Sequence, residues 1–135
     1  MKTELVIYDT PENSKNGMKK IFVALSSIFL LDMVWFSLSK NMYKNVVQDK
    51  VRRPGAFVAW FLMACALSVQ NPKSMKEAIT YGALVGLVIY GVFNGTTYAI
   101  NKDWSLNISL SDTLWGITNC TITSAILFKV SKRYA

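Results

Sequence analysis

The chain has 135 residues, of which 52% are hydrophobic and 17% charged, with a net charge of +7 and a positive mean hydropathy. A soluble domain carries about 25% charged residues, and here the charges gather in short tracts between long apolar runs, which points to a polytopic membrane protein. The composition argues against nucleic-acid binding, because the basic tracts flank apolar segments and no recognition motif accompanies them.

The first 18 residues form a polar N-terminal tail containing Tyr8, Pro11, Glu12 and Asn13. They hold acids and no small-residue cleavage site, so the first apolar run is expected to stay as an anchor rather than serve as a signal peptide. That run extends from about 21 to 38. It contains Asp32, followed three residues later by Trp35. An ionisable group at that position is expensive in hydrocarbon and marks either chemistry or assembly.

From Asn41 to Pro54, Met42, Tyr43, Val46, Val47 and Val51 recur at helical spacing beside Lys44, Lys50 and Arg52. This predicts an interfacial amphipathic helix or an extension of the first span, with a solvated loop as the alternative. The second apolar segment, about 55–69, is bounded by Pro54 and by Asn71 and Pro72. It falls short of the roughly 17 residues a span needs and reads as a short or tilted helix.

The third segment covers about 78–100 and the fourth about 110–130, so the expected fold is all-α, a bundle of four transmembrane helices. Residues 19–135 would form that membrane domain. Four spans put both termini on one side, with nine basic residues there against six opposite. The positive-inside rule then favours cytoplasmic termini. Lys19, Lys20, Lys44, Lys50, Arg52, Arg53, Lys132 and Arg133 are the expected contacts for lipid headgroups.

Topology also places polar groups in depth. Asp32 lies eight residues before Lys40, Asn94 eight before Lys102, and Asp112 nine after Asp103. At 1.5 Å per helical residue each would sit roughly 12 Å below one face, making a shared polar layer. Gly82, Gly86, Tyr90 and Asn94 recur every fourth residue, and Asp112, Trp115, Gly116, Asn119 and Thr123 form a second stripe. Gly82, Gly86 and Gly116 would let backbones approach, while Asp32, Asn94, Asp112, Trp35, Tyr90 and Trp115 would form the layer.

No lysine or arginine shares that depth, so the carboxylates need donors from Trp, Tyr or Asn, or a proton on one of them. The layer reads either as a polar clasp between helices or as a proton or cation site. Asp112 has a third reading. Ser109 to Asp112 fits a capping box, with Asp112 at the third helical position, and Leu106, Ile108 and Leu110 alternate as in an extended approach.

Trp104, beside Asp103, reads as an interfacial anchor; Trp35 and Trp115 either pack beside their aspartates or donate to them. Cys65 and Cys120 lack metal-ligand spacing and read as buried inert thiols. Three glycosylation triplets, at Asn94, Asn107 and Asn119, fall in or near the membrane and are expected to be unused. Histidine is absent, and the sequence has no phosphate loop, catalytic triad or metal cluster. No metal, cofactor or catalytic residue is therefore expected.

The residues Leu31, Asp32 and Trp35, then Tyr43, then Gly82, Gly86, Tyr90 and Gly91, then Asp103 and Trp104, then Asp112, Trp115 and Gly116 resemble the family of small membrane proteins catalogued as domain of unknown function 2177. The likeness covers roughly residues 20–130 and runs without gaps from Tyr81 to Gly116. It implies four transmembrane helices, relatives in bacteria and large DNA viruses, and no established activity. Relatives typically read Tyr-Asp-x-Thr-Asn where this chain has Phe93, Asn94, Gly95, Thr96 and Thr97, so an amide replaces a carboxylate.

The function expected is non-enzymatic, structural or assembly-related, in a viral internal membrane beneath a capsid. Its partners would be membrane lipids and a protein that contacts the N-terminal tail. The alternative is a small transporter or channel subunit for a proton, cation or small solute, using Asp32 and Asp112. An intramembrane enzyme is the remaining reading, with Tyr90 beside Asp32 as its one candidate pair.

Overall fold

A computed structural model describes residues 11–47 and 50–133, with the backbone alone at 11–14 and at Arg133. The first ten residues of the predicted tail lie outside the described residues, as does the partner contact expected of them. The described residues form four helices, α1 Pro11–Tyr43, α2 Arg53–Ser68, α3 Met75–Ile100 and α4 Leu106–Arg133, and no strand.

At 33 residues α1 is about 50 Å long, well beyond the roughly 30 Å of a hydrocarbon core. The helix starts ahead of the apolar run, so residues 11–18 of the predicted tail are helical. At its other end it continues to Tyr43 and closes in a turn where the Val46 and Val47 N–H groups both donate to the Tyr43 carbonyl. Of the stretch after Lys40, only residues 41–43 extend the first helix; residues 44–47 and 50–52 follow the loop alternative, and no separate amphipathic helix appears among the described residues.

Local chemistry sets the remaining boundaries. Pro54, which needs no N–H partner, sits in the first turn of α2. Ser74 caps α3, accepting from the Glu77 N–H at 3.1 Å, while the Glu77 carboxylate accepts from the Lys73 N–H at 2.8 Å. Ser105 caps α4, its hydroxyl accepting from the Ile108 N–H at 3.1 Å. The expected cap at Ser109 and extended approach through Leu110 are therefore corrected, because the helix starts a turn earlier and Ser109 instead donates to the Ser105 carbonyl.

Packing is dominated by the α3–α4 hairpin, followed by α1 against α2 and α4; α2 barely touches α3 and α4. Glycines explain the closeness of α3 to α4. A Cβ on Gly82 would stand 2.5 Å from the Cys120 carbonyl oxygen, and one on Gly86 would stand 2.5 Å from that of Gly116. The Gly116 position is covered by the Tyr90 ring. Ser124 on α4 donates to the Ala78 carbonyl on α3 at 2.7 Å, and Tyr81 on α3 donates to the Ala66 carbonyl on α2 at 2.7 Å. Each cross-helix bond of this kind contributes modestly, on the order of 1 kcal/mol.

Two helices, α1 from Lys15 and α3, are long and apolar enough to cross a membrane. The 28-residue α4 has the length, but Asp112, Asn119, Thr123 and Ser124 lower its hydropathy, and all four are buried. The 16-residue α2 is apolar and short. The polarity of the whole is inverted relative to a soluble bundle. Phe22, Leu30, Val34 and Leu38 on α1, and Val88 and Val92 on α3, are exposed, whereas Asp32, Asn94, Asp112 and Asn119 are buried.

Candidate functional site: a buried two-carboxylate network

Asp32 lies on the α1 face that also buries Ala24 and Ile28. At 4% exposure it accepts three hydrogen bonds. Trp60 on α2 donates its indole N–H to Oδ2 at 2.7 Å; from α4, Trp115 Nε1 and Asn119 Nδ2 each donate to Oδ1 at 2.9 Å. Indole N–H can only donate, so nothing competes with the carboxylate as acceptor here. Phe29 meets the Trp60 ring edge-on at 5.1 Å and fixes its angle.

Asp112 is held from the other helices. The Tyr43 hydroxyl, at the end of α1, donates to Oδ1 at 2.5 Å, and Asn94 on α3 donates through Nδ2 to Oδ2 at 2.7 Å. Each of those donors has a tryptophan behind it. Trp35 donates to the Tyr43 hydroxyl at 3.2 Å, and Trp104 donates to Asn94 Oδ1 at 3.0 Å. The Asn94 amide also reaches the Tyr90 carbonyl at 2.9 Å, so both ends of the side chain are engaged.

All four indole N–H groups of the chain thus point into one connected region. The Trp35 and Trp115 rings stack at 5.1 Å with 4° between their planes, and this stack joins the Asp32 group to the Asp112 group. The partners of both carboxylates are neutral donors. A neutral donor shell of this density satisfies buried oxygens that would otherwise cost several kcal/mol each.

Several sequence readings change at this point. Asp112 is no helix cap; it lies two turns inside α4 and bonds to α1 and α3. Trp104 is buried at 8% exposure, flanked by the Tyr43 and Phe93 rings, and is no interfacial anchor. Neither Trp35 nor Trp115 donates to the aspartate of its own segment. Tyr90 contributes its carbonyl and its ring, which lies over Gly116. The single layer expected from depth is really two hydrogen-bonded groups, one centred on each aspartate.

Trp60, Tyr43 and Asn119, the last on the polar stripe of the fourth segment, join the site beyond the layer expected from depth. Tyr43 was nevertheless signalled, because Trp35, Ser39 and Tyr43 continue the buried stripe of α1 at four-residue steps. Trp60 opens the stripe Trp60, Met63, Ala64 and Leu67 that packs α2 on α1. Among the described residues, the basic ones expected at headgroups donate to neither aspartate. Lys19, Lys44, Lys50, Arg52, Arg53 and Lys132 are exposed and Lys20 is half-buried.

A polar line leaves Asp32 in the opposite direction. Asn119 Oδ1 accepts from the Thr123 hydroxyl at 3.3 Å, and the Thr123 and Ser27 hydroxyls are 3.2 Å apart. Cys120, beside this line, is buried, while Cys65 is half-buried. Among the described residues no group of three acidic, cysteine or histidine side chains could hold a metal ion.

Residues 18–128 match the family described as "Predicted membrane protein (DUF2177)". No curated protein and no solved structure matches the chain.

Proposed function

Because the chain belongs to the DUF2177 family of predicted membrane proteins, we propose that it is a four-span integral membrane protein with a structural or assembly role and no enzymatic activity. The observation that carries this reading is that every oxygen of the two carboxylates accepts a hydrogen bond from another helix. Asp32 gathers donors from α2 and α4, and Asp112 gathers them from α1 and α3, so the two groups, joined by the Trp35–Trp115 stack, together tie all four helices. In hydrocarbon such donors have no water to turn to, which favours a single packed arrangement.

The apolar exterior supports four spans, with α2 crossing as a short helix and α4 hiding its polar stripe against α1 and α3. Within that role we place the protein in an internal virion membrane beneath a capsid. The resemblance-based range of the family and the lysine-rich rims support this setting. Mass spectrometry of purified particles tests it, and particles lacking the protein would end it.

The role itself is tested by unfolding and flux together. Asp32→Asn should unfold more readily in detergent micelles, and wild-type protein in liposomes should pass no protons, cations or small solutes. The second reading, a transporter or channel subunit, draws on the polar line from Asp32 through Asn119 and Thr123 to Ser27. It requires a wild-type flux that disappears in both Asp32→Asn and Thr123→Val.

A further inference from the structure

The far end of the bundle from the Asp112 group carries a groove of about 380 Å³, within the size range of small-ligand sites. Its walls come from α1, the end of α2, the α2–α3 connection and the last turns of α4. Lys20, Lys73 and Lys132 line it, three basic residues from three separate stretches of chain. No carboxylate is among the described residues that line it. The nearby Glu77 is turned to the Lys73 backbone N–H instead.

The floor has the opposite character. Leu67, Leu127 and Phe128 are at most 9% exposed and lie at the base of the same groove. The Lys132 ammonium sits 4.7 Å above the Phe128 ring, and the Lys20 ammonium donates to Asn71 Oδ1 at 2.6 Å. Both cations are therefore steered to the groove by neutral partners, and among the described residues no carboxylate pairs with either. An ammonium has three protons, so Lys20 keeps two for an occupant.

We propose that this groove binds one anionic phospholipid, with its phosphate held by Lys20, Lys73 and Lys132 and its acyl chain over Leu67, Leu127 and Phe128. The argument is charge complementarity joined to depth. Lys20 precedes the apolar run of α1, Lys132 ends that of α4, and Lys73 lies in the connection from α2 to α3. The three lysines accordingly lie at the headgroup level of a spanning bundle, with an apolar floor leading toward the hydrocarbon. A water-soluble anion would leave that floor unused. The proposal rests on the membrane-spanning reading above and goes beyond general attraction of basic rims to a charged leaflet.

Delipidated protein in neutral detergent, titrated with phosphatidylglycerol and followed by native mass spectrometry, provides the test. Phosphatidylglycerol should bind at one site and phosphatidylcholine far more weakly. Each lysine near a headgroup phosphate contributes about 1 kcal/mol, so Lys132→Gln should weaken binding about fivefold and Lys20→Gln/Lys132→Gln about 30-fold. Lys40→Gln/Lys102→Gln, at the opposite end and on exposed side chains, should bind as wild type does.

Lys20 also holds the α2–α3 connection, so Lys132→Gln alone, on an exposed side chain, keeps the test independent of folding. Equal binding of the two lipids, unchanged binding by Lys132→Gln, or displacement of the lipid by millimolar inorganic phosphate would each overturn the site. Carbonate washing of membranes separates the two readings. Protein stripped off by the wash refutes spanning, whereas protein retained by the wash that binds both lipids alike refutes the groove alone.

Discussion

Trp115 donates its indole N–H across the bundle to Asp32 at 2.9 Å, and not to Asp112 three residues before it on the same helix. The second Asp-x-x-Trp segment therefore completes the donor shell of the first. The first reciprocates indirectly, since Trp35 supports Tyr43, which donates to Asp112. Asp32→Ala leaves the buried Asn119 amide and two half-buried indoles without an acceptor, and at about 1 kcal/mol for each orphan the loss should be about 3 kcal/mol. Asp32→Asn keeps one acceptor oxygen and should cost about half as much. Unfolding in mixed micelles measures both; an Asp32→Ala protein as stable as wild type would contradict the clasp.

Glycines on α3 offer a contrast between contact and open space. Gly86→Ala would press a methyl on the Gly116 carbonyl, so the hairpin must separate, at about 1–3 kcal/mol for an overpacked site. Gly95 on the same helix has nothing within 4 Å of its missing Cβ. Gly95→Ala should be neutral or stabilising by up to about 1 kcal/mol through helix propensity. Melting temperatures of the pair in one detergent decide the point, and equal losses for both would remove glycine packing as the reason α3 and α4 lie so close.

These elements show what could be read from the chain alone. Four-residue spacing found the face of α3 that carries Gly82, Gly86 and Asn94, and counting residues from Lys102 and Asp103 put Asn94 and Asp112 at one depth. They are in fact bonded. Helical periodicity does not tell a tryptophan at a helix end to fold inward, and Trp104 was misplaced for that reason. The short turn from Asn101 to Ser105, held by the Trp104 N–H on the Asn101 carbonyl at 3.1 Å, carries the ring back over Asn94. Pairing across helices was equally hidden. A stripe identifies a buried face but not which facing helix it meets, so the exchange of donors between the two Asp-x-x-Trp segments required the fold.

The proposed four spans make a topological prediction that two spans do not share. In a background lacking Cys65 and Cys120, cysteines introduced at Lys73 and Lys132 should react with an impermeant maleimide from one side of the membrane. Those at Lys44 and Lys102 should react only from the other. A chain crossing only through α1 and α3 would put Lys73 on the same side as Lys44. Shared labelling of those two positions would therefore exclude α2 as a span.

Asn94 and Asp112 allow the donor logic to be reversed. The Asn94 amide donates to Asp112 at 2.7 Å while its oxygen accepts from Trp104 at 3.0 Å. Asn94→Asp still accepts from Trp104 but turns a carboxylate on Asp112, and should cost about 1–3 kcal/mol by facing two acceptors. The double change Asn94→Asp/Asp112→Asn exchanges donor and acceptor. An amide at 112 can accept from the Tyr43 hydroxyl through its oxygen and donate to the new carboxylate at 94. Only the bond from position 94 to the Tyr90 carbonyl is then lost. The double variant should accordingly be more stable than Asn94→Asp alone, with a favourable coupling of about 1 kcal/mol or more in a double-mutant cycle. Additive losses would mean that the two side chains do not act on each other, and the Asp112 half of the network would have to be abandoned.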